Sequence, residues 1–147
     1  MLTSRLLHPD ILHGLAEAGH GAQVLIADGN FPLATRSFRG ARRVYLNLAP
    51  DLVRVTDVLA VVATAIPIEA VYVMATEIGE EPSIIAKFQE ILPRLEMQRL
   101  FPLEFYKAAR SPDVALAIAT GERRIYANII LTIGVLPLIQ SDGCQDS

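Results

Sequence analysis

Residues 15–32 read "LAEAGHGAQVLIADGNFP", a helix end, a strand and a turn in direct succession. Upstream, "PDILHGLAEAG" over residues 9–19 sets Ile11, Leu12, Leu15 and Ala16 at helical spacing. Pro9 favours a first turn and Gly19 a stop, so an amphipathic helix is predicted between them, with His13 half-exposed. "QVLIAD" is a short continuous apolar run, the pattern of a buried strand, and "GNFP" breaks it with turn formers and a proline. One question is left open. His20 stands between two glycines at one end of the strand, and Asp28 closes the other end.

Outward from this unit the same alternation continues. "RVYLNL" predicts a second strand, rich in β-formers. Residues 50–66, "PDLVRVTDVLAVVATAI", are long enough for a helix of about four turns, with Pro50 and Asp51 suited to its first turn. "EAVYVMAT" is a third strand. "EPSIIAKFQEIL" is a helix with Ile84, Ile85, Phe88 and Ile91 on one face, halted near Pro93. A short helix in "PLEFYKAAR", a strand in "DVALAIAT", a polar turn at "GERR" and a last strand in "YANIILTIGV" complete the chain. Strands alternating with helices predict a layered α/β fold, and no repeat or interdomain linker interrupts it.

Composition narrows the function classes. Of the 147 residues, 52% are hydrophobic and 20% charged, an apolar surplus that needs a cause. The uncharged apolar run "VLAVVATAIPI" over residues 58–68 falls short of the roughly 20 residues that span a bilayer, and Pro67 interrupts it. The surplus is therefore assigned to strands buried on both faces and to a subunit interface, in a soluble protein. Net charge is −3, and the one basic cluster, "RGARR" at residues 39–43, reads as a solvated loop able to touch a phosphate. A nucleic-acid binder would show a basic face. Cys144 lies in the polar tail "SDGCQDS", which reads as disordered, and a lone cysteine forms no internal disulfide. With no secretory signal at the N-terminus, the expected setting is cytoplasmic.

Motifs for phosphate loops, dinucleotide binding, nucleophile elbows and zinc helices are missing from the sequence. His8, His13 and His20 are spaced by five and seven residues, which does not gather them on one helical face, so no metal site is expected. What remains is a polar set at element ends: His20, Asp28, Glu122, Tyr126 and Asn128. Ligands collect at the carboxyl ends of strands in open α/β sheets, which suits Asp28. His20 sits at the opposite end, about 20 Å away along an extended strand. Either the strand bends around its glycines or the pair meets across a subunit boundary. Plainer roles stand beside these: His20 as a helix C-cap donor, Asp28 as a turn former, Tyr126 and Asn128 as a strand-end aromatic and a turn amide.

Three segments carry a resemblance. "LAEAGHG..VLIADGNFP", "FYKAA" and "GE...YANIIL..GV", in this order and spacing, resemble the ribose pyranase and fucose mutarotase family over about residues 5–135. Residues 34–100 match only in hydrophobic pattern. With the alternation above, the resemblance implies a three-layer α/β/α single domain over residues 1–140 with a mostly parallel or mixed central sheet, followed by a polar tail at 141–147. It implies cofactor-free interconversion of the cyclic forms of a free monosaccharide. It also implies a homo-oligomer, a ring or decamer with sites near subunit contacts.

The family's proton-donating histidine falls on His20 and its substrate-binding aspartate on Asp28. Its Y-[AG]-N segment falls on Tyr126, Ala127 and Asn128. One position departs. The family's basic residue three places before the phenylalanine of "FY" falls on Pro102, and Arg99 is the nearest side chain that could take its place, with Lys107 and Arg110 weaker candidates. "YAN" leans toward ribose, "ADGNFP" and "FYKAA" toward fucose. A sugar-binding protein without catalysis, or a ring-forming scaffold, are the alternatives that this departure keeps open.

Overall fold

The computed structural model describes residues 1–138; the tail reading for residues 141–147, Cys144 included, lies outside the described residues. The chain runs α1 (Pro9–Glu17), β1 (Gln23–Ala27), α2 (Leu33–Arg36), β2 (Arg42–Tyr45), α3 (Val55–Val62) and β3 (Ile68–Met74). It continues through α4 (Ile84–Ile91), β4 (Met97–Leu100), α5 (Pro102–Ala109), β5 (Val114–Ala119) and β6 (Ile129–Ile133). The six strands form one sheet in the order β2-β5-β1-β6-β3-β4. β1 and β2 both run parallel to β5, and β3 runs parallel to β4. β6 enters between β1 and β3 antiparallel to both, which makes the sheet mixed.

Alternation along each strand splits the core into two layers. Val24, Ile26, Val71, Val73, Leu116 and Ile118 face α1, α3 and α4, where Ile11, Leu59 and Phe88 pack against them. Leu25, Ala27, Met74, Ala117 and Ile130 face the other way, toward Leu33 of α2 and Phe105 and Ala109 of α5. This is the expected three-layer α/β/α arrangement. β1 lies at its centre, and Val24, Leu25, Ile26 and Ala27 are fully buried, as a continuous apolar run requires. Val24, Leu25 and Ile26 each contribute about 1.5–3 kcal/mol by leaving water. On α1 it is Gly14, with Ile11, that is buried, while Ala16 is exposed. A Cβ at Gly14 would stand 3.0 Å from Leu116 Cδ1, so a larger residue there would press on the β5 side chain.

The structure departs from the sequence reading at the starts of α3 and β6. α3 starts at Val55 rather than Pro50, because Asp51 takes a left-handed φ of 63° and Ala49 bridges Leu52 in a tight turn. The helix is instead opened by Asp57, whose carboxylate accepts the Arg54 N–H at 2.9 Å. β6 starts at Ile129 rather than Tyr126, since Tyr126 also has a left-handed φ, 60°, and cannot continue extended backbone. α2 and the edge strand β4 have no counterpart among the predicted elements. Among the described residues no helix is long and apolar enough to cross a membrane.

Candidate functional site

Asp28 leaves the C-terminal end of β1 and is buried, only 5% exposed. Its Oδ1 accepts the backbone N–H groups of Asn30 at 3.0 Å and Phe31 at 2.8 Å, which forms the turn expected of an aspartate before "GNFP". Its other oxygen, Oδ2, accepts from Asn128 Nδ2 at 3.3 Å. Asn128 completes the link by accepting the Asp28 N–H on its Oδ1 at 2.8 Å. Two residues a hundred positions apart are thus joined by a reciprocal pair of hydrogen bonds. Burial pushes the Asp28 carboxyl above its ordinary range, against the opposing pull of Asn30, Phe31, Asn128 and Ala127.

Tyr126, Ala127 and Asn128 lead into β6. The Asn128 N–H bonds the Tyr126 carbonyl at 2.8 Å, a tight turn about Ala127, and Tyr126 before it has a left-handed φ of 60°. For a bulky residue that backbone costs on the order of 1–3 kcal/mol, and such strain clusters at functional positions. Tyr126 is half-buried against the α5-side core, and Ala127 is fully buried on the other side. Asn128 Nδ2 also lies 3.9 Å from Met74 Sδ, a neighbour that no motif points to.

Glu122 anchors the loop that carries these residues. It is 1% exposed, and Arg124 donates to it from Nε at 2.6 Å and Nη2 at 2.9 Å. Glu122 Oε2 also accepts the Val55 N–H at 3.1 Å, which fixes the loop to the first turn of α3. Burial raises its pKa, but the Arg124 and Val55 bonds together outweigh that and hold the carboxyl below its ordinary range. Gly121 is obligatory here, since a Cβ would collide with the Ala49 carbonyl.

Two cavities open at the C-terminal ends of β1, β2 and β5. One, of about 230 Å³, is bordered by Asp28, Phe31, Pro32, Tyr45 and Asn47. A second, of about 550 Å³, shares Gly29, Asn47 and Thr120 with it and extends to Glu122 and Arg123. The size suits a small polar ligand.

His20 is elsewhere. It follows α1 at the N-terminal end of β1, exposed, and lines neither cavity. It does not cap α1, whose C-cap is Ala18. Instead its Nε2 lies 3.1 and 3.0 Å from the two carboxylate oxygens of Glu69, beside the start of β3. Glu69 is a partner that sequence reasoning missed, because forty-nine residues separate the two. Within one chain, His20 precedes β1 and Asp28 follows it, at opposite ends of the strand.

Arg99 pairs with Glu81 and donates from Nη1 to the Met97 carbonyl at 3.0 Å. Its register partner Val73 faces α1, α3 and α4, so Arg99 lies on the sheet face opposite Met74. The structure does not bring it to Asp28. Pro102 is the first residue of α5, where its missing N–H has no helical partner to lose. His8 caps α1 by accepting the Asp10 N–H and His13 pairs with Glu17. Among the described residues no three histidine, cysteine or carboxylate groups converge on a metal position.

Comparison with known proteins places the chain and its fold. Residues 1–136 match the RbsD / FucU transport protein family. The D-ribose pyranase of Paracidovorax citrulli is 32% identical over 135 residues, spanning 92% of this chain and 98% of its own. Human fucose mutarotase is 28% identical over 148 residues, spanning 90% and 92%. Among solved structures, Bacillus subtilis RbsD complexed with D-ribose superimposes with a TM-score of 0.79 at 30% identity, over 92% of this chain and 99% of that one. The chain belongs to the RbsD/FucU family.

Proposed function

We propose that the protein interconverts the cyclic forms of a free monosaccharide, with Asp28, Tyr126, Ala127 and Asn128 holding the sugar and His20 moving the proton. The observation that carries this reading is the buried Asp28–Asn128 pair beside an open cavity, in a chain whose relatives are named as D-ribose pyranases and fucose mutarotases, which are isomerases. A carboxylate and an amide, fixed by each other, offer paired acceptors and donors to the hydroxyls of an uncharged sugar. Opening a hemiacetal needs a proton delivered to the ring oxygen while the anomeric hydroxyl gives one up. The ring C–O bond breaks as the carbonyl forms, and reclosure from either face or through another hydroxyl exchanges the forms. A histidine suits both transfers near neutral pH. Glu69 occupies Nε2 of His20, leaving Nδ1 to meet the substrate.

Because one chain holds His20 and Asp28 at opposite sheet ends, the reading requires a homo-oligomer in which His20 of one copy faces Asp28 of another. Saturation-transfer NMR between sugar forms tests the chemistry. His20→Ala is expected to slow enzyme-borne exchange by roughly a hundredfold to ten-thousandfold without loss of fold, since its side chain is exposed. Equal exchange by variant and wild type, across ribose, fucose and galactose, would remove the catalytic role.

Pro102 favours a second reading, a sugar-binding protein without catalysis, because a proline cannot supply the charge or donor of the family's basic residue. Saturable sugar binding by calorimetry with no acceleration of exchange is the result that would select it.

A further inference from the structure

We infer that the cavity lined by Arg39, Arg43 and Arg110 is a binding site for a small oxyanion of the phosphate class, separate from the sugar site and independent of that reading. The cavity measures about 430 Å³, and Ala34, Thr35, Ser37 and Phe38 complete its wall. It lies on the far side of α2 from Asp28; Ala34 and Thr35 border both spaces. The "RGARR" cluster supplies two of its arginines, and the fold adds the third. The Phe38 N–H donates to the Ala109 carbonyl at 3.0 Å, which brings the C-terminal end of α5 and Arg110 beside Arg39.

The charge arrangement asks for an anion. The protein carries a net charge of −3, yet three cations surround one cavity whose wall contains no carboxylate. Five of the other eight arginines have found one: Arg42 pairs with Glu17, Arg54 with Asp51, Arg99 with Glu81, Arg123 with Asp51, Arg124 with Glu122. Among the described residues Arg39, Arg43 and Arg110 make no ion pair. Three like charges around one space repel, and an oxyanion converts that cost into charge-assisted hydrogen bonds.

Arg43 is also set in place. It lies on β2 opposite Ala117, whose side chain belongs to the α5-side core, so its stem runs over the covered face of the sheet. Its Nε donates to Ser37 Oγ at 2.9 Å and its Nη2 to the Ser37 carbonyl at 3.2 Å. Ser37 Oγ is oriented in turn by donating to the Leu33 carbonyl at 2.6 Å. A guanidinium has five N–H donors. Two are spent on Ser37, which fixes the plane, and the rest have no acceptor among the described residues. A planar fork held by its neighbours with donors to spare matches a tetrahedral oxyanion.

The test is calorimetric titration of the full chain with inorganic phosphate, and separately with sulfate, at low and at moderate salt. Wild type is expected to show saturable binding that weakens with salt. Arg39→Gln/Arg110→Gln changes only exposed side chains, so it should fold, and it should weaken phosphate binding by roughly tenfold or more. Arg43→Gln should weaken it further. Absence of saturable binding by folded wild type overturns the proposal, as does binding that neither variant alters. A change of oligomer mass in the variants, without phosphate binding by wild type, also overturns it, because a carboxylate from another copy would then be the anion that the arginines take.

Discussion

The two ends of β1 are built on opposite plans. At the C-terminal end Asp28 is buried, makes three side-chain-mediated bonds to Asn30, Phe31 and Asn128, and abuts a loop tied down by Glu122 and Arg124. At the N-terminal end His20 is exposed and held by one equally accessible carboxylate, Glu69. A binding platform gains from rigidity, since ordering costs are met in folding rather than at each binding event. Under the proposed function His20 is a proton carrier completed by another copy, and no such wall surrounds it. The difference teaches that one chain presents a finished surface at one end and an unfinished one at the other.

The strongest way to break that comparison is subunit mixing. His20→Ala and Asp28→Asn chains, each expected to be inactive, are co-refolded in equal amounts. If His20 of one copy serves Asp28 of another, random mixing restores about a quarter of wild-type sites. If both residues served from the same chain, mixing would restore none, and exchange measured by NMR would stay at background.

Asn128→Ala probes the finished end. It removes the acceptor of the buried Asp28 N–H and the donor to Asp28 Oδ2, and each unsatisfied buried group costs about 1–3 kcal/mol. Urea unfolding should show a loss of about 2–4 kcal/mol, large for a protein of this size. A loss below half a kcal/mol would mean that the pair is not the rigid element described. Glu69→Gln probes the unfinished end. Both members of the pair are exposed, so stability should hardly change, whereas exchange should fall by roughly tenfold as His20 loses its orienting carboxylate. A stability loss larger than the activity loss would reverse the assignment of Glu69.

The same contrast governs what could be read from the chain. β1 and β5 were legible because each is a continuous apolar run, and α4 because Ile84, Ile85 and Phe88 keep helical spacing. β4 was not, since "MQRL" has Gln98 and Arg99 exposed on an edge and lacks an apolar pattern. The start of α3 was misplaced because left-handed backbone at Asp51 is a tertiary outcome, fixed by contacts of residues 121 and 123 with that turn. Asp28 and Asn128 were picked out as residues, but not as a bonded pair, because only the β1–β6 register sets them together. Glu69 and Met74 carried no signal. Each acquires meaning from a strand neighbour far away in sequence.

The finest discrimination lies in proton linkage, where the two buried carboxylates of the finished end pull in opposite directions. Burial raises Asp28 despite its hydrogen bonds. Its ionised form therefore penalises the folded state above the folded pKa, and that penalty fades as pH falls through the raised pKa toward the unfolded value. Glu122 is buried too, but Arg124 and the Val55 N–H more than offset desolvation and lower its pKa. Its contribution is favourable above the unfolded pKa and is lost as pH falls through the lowered one. Unfolding free energies of wild type, Asp28→Asn and Glu122→Gln, measured from neutral pH down through the carboxylate range, separate the two. The advantage of wild type over Asp28→Asn should grow on acidification, and its advantage over Glu122→Gln should shrink. Slopes of the same sign would mean that burial, rather than the partner each carboxylate has found, decides the behaviour of both. The platform would then owe its rigidity to packing instead of to the charges it holds.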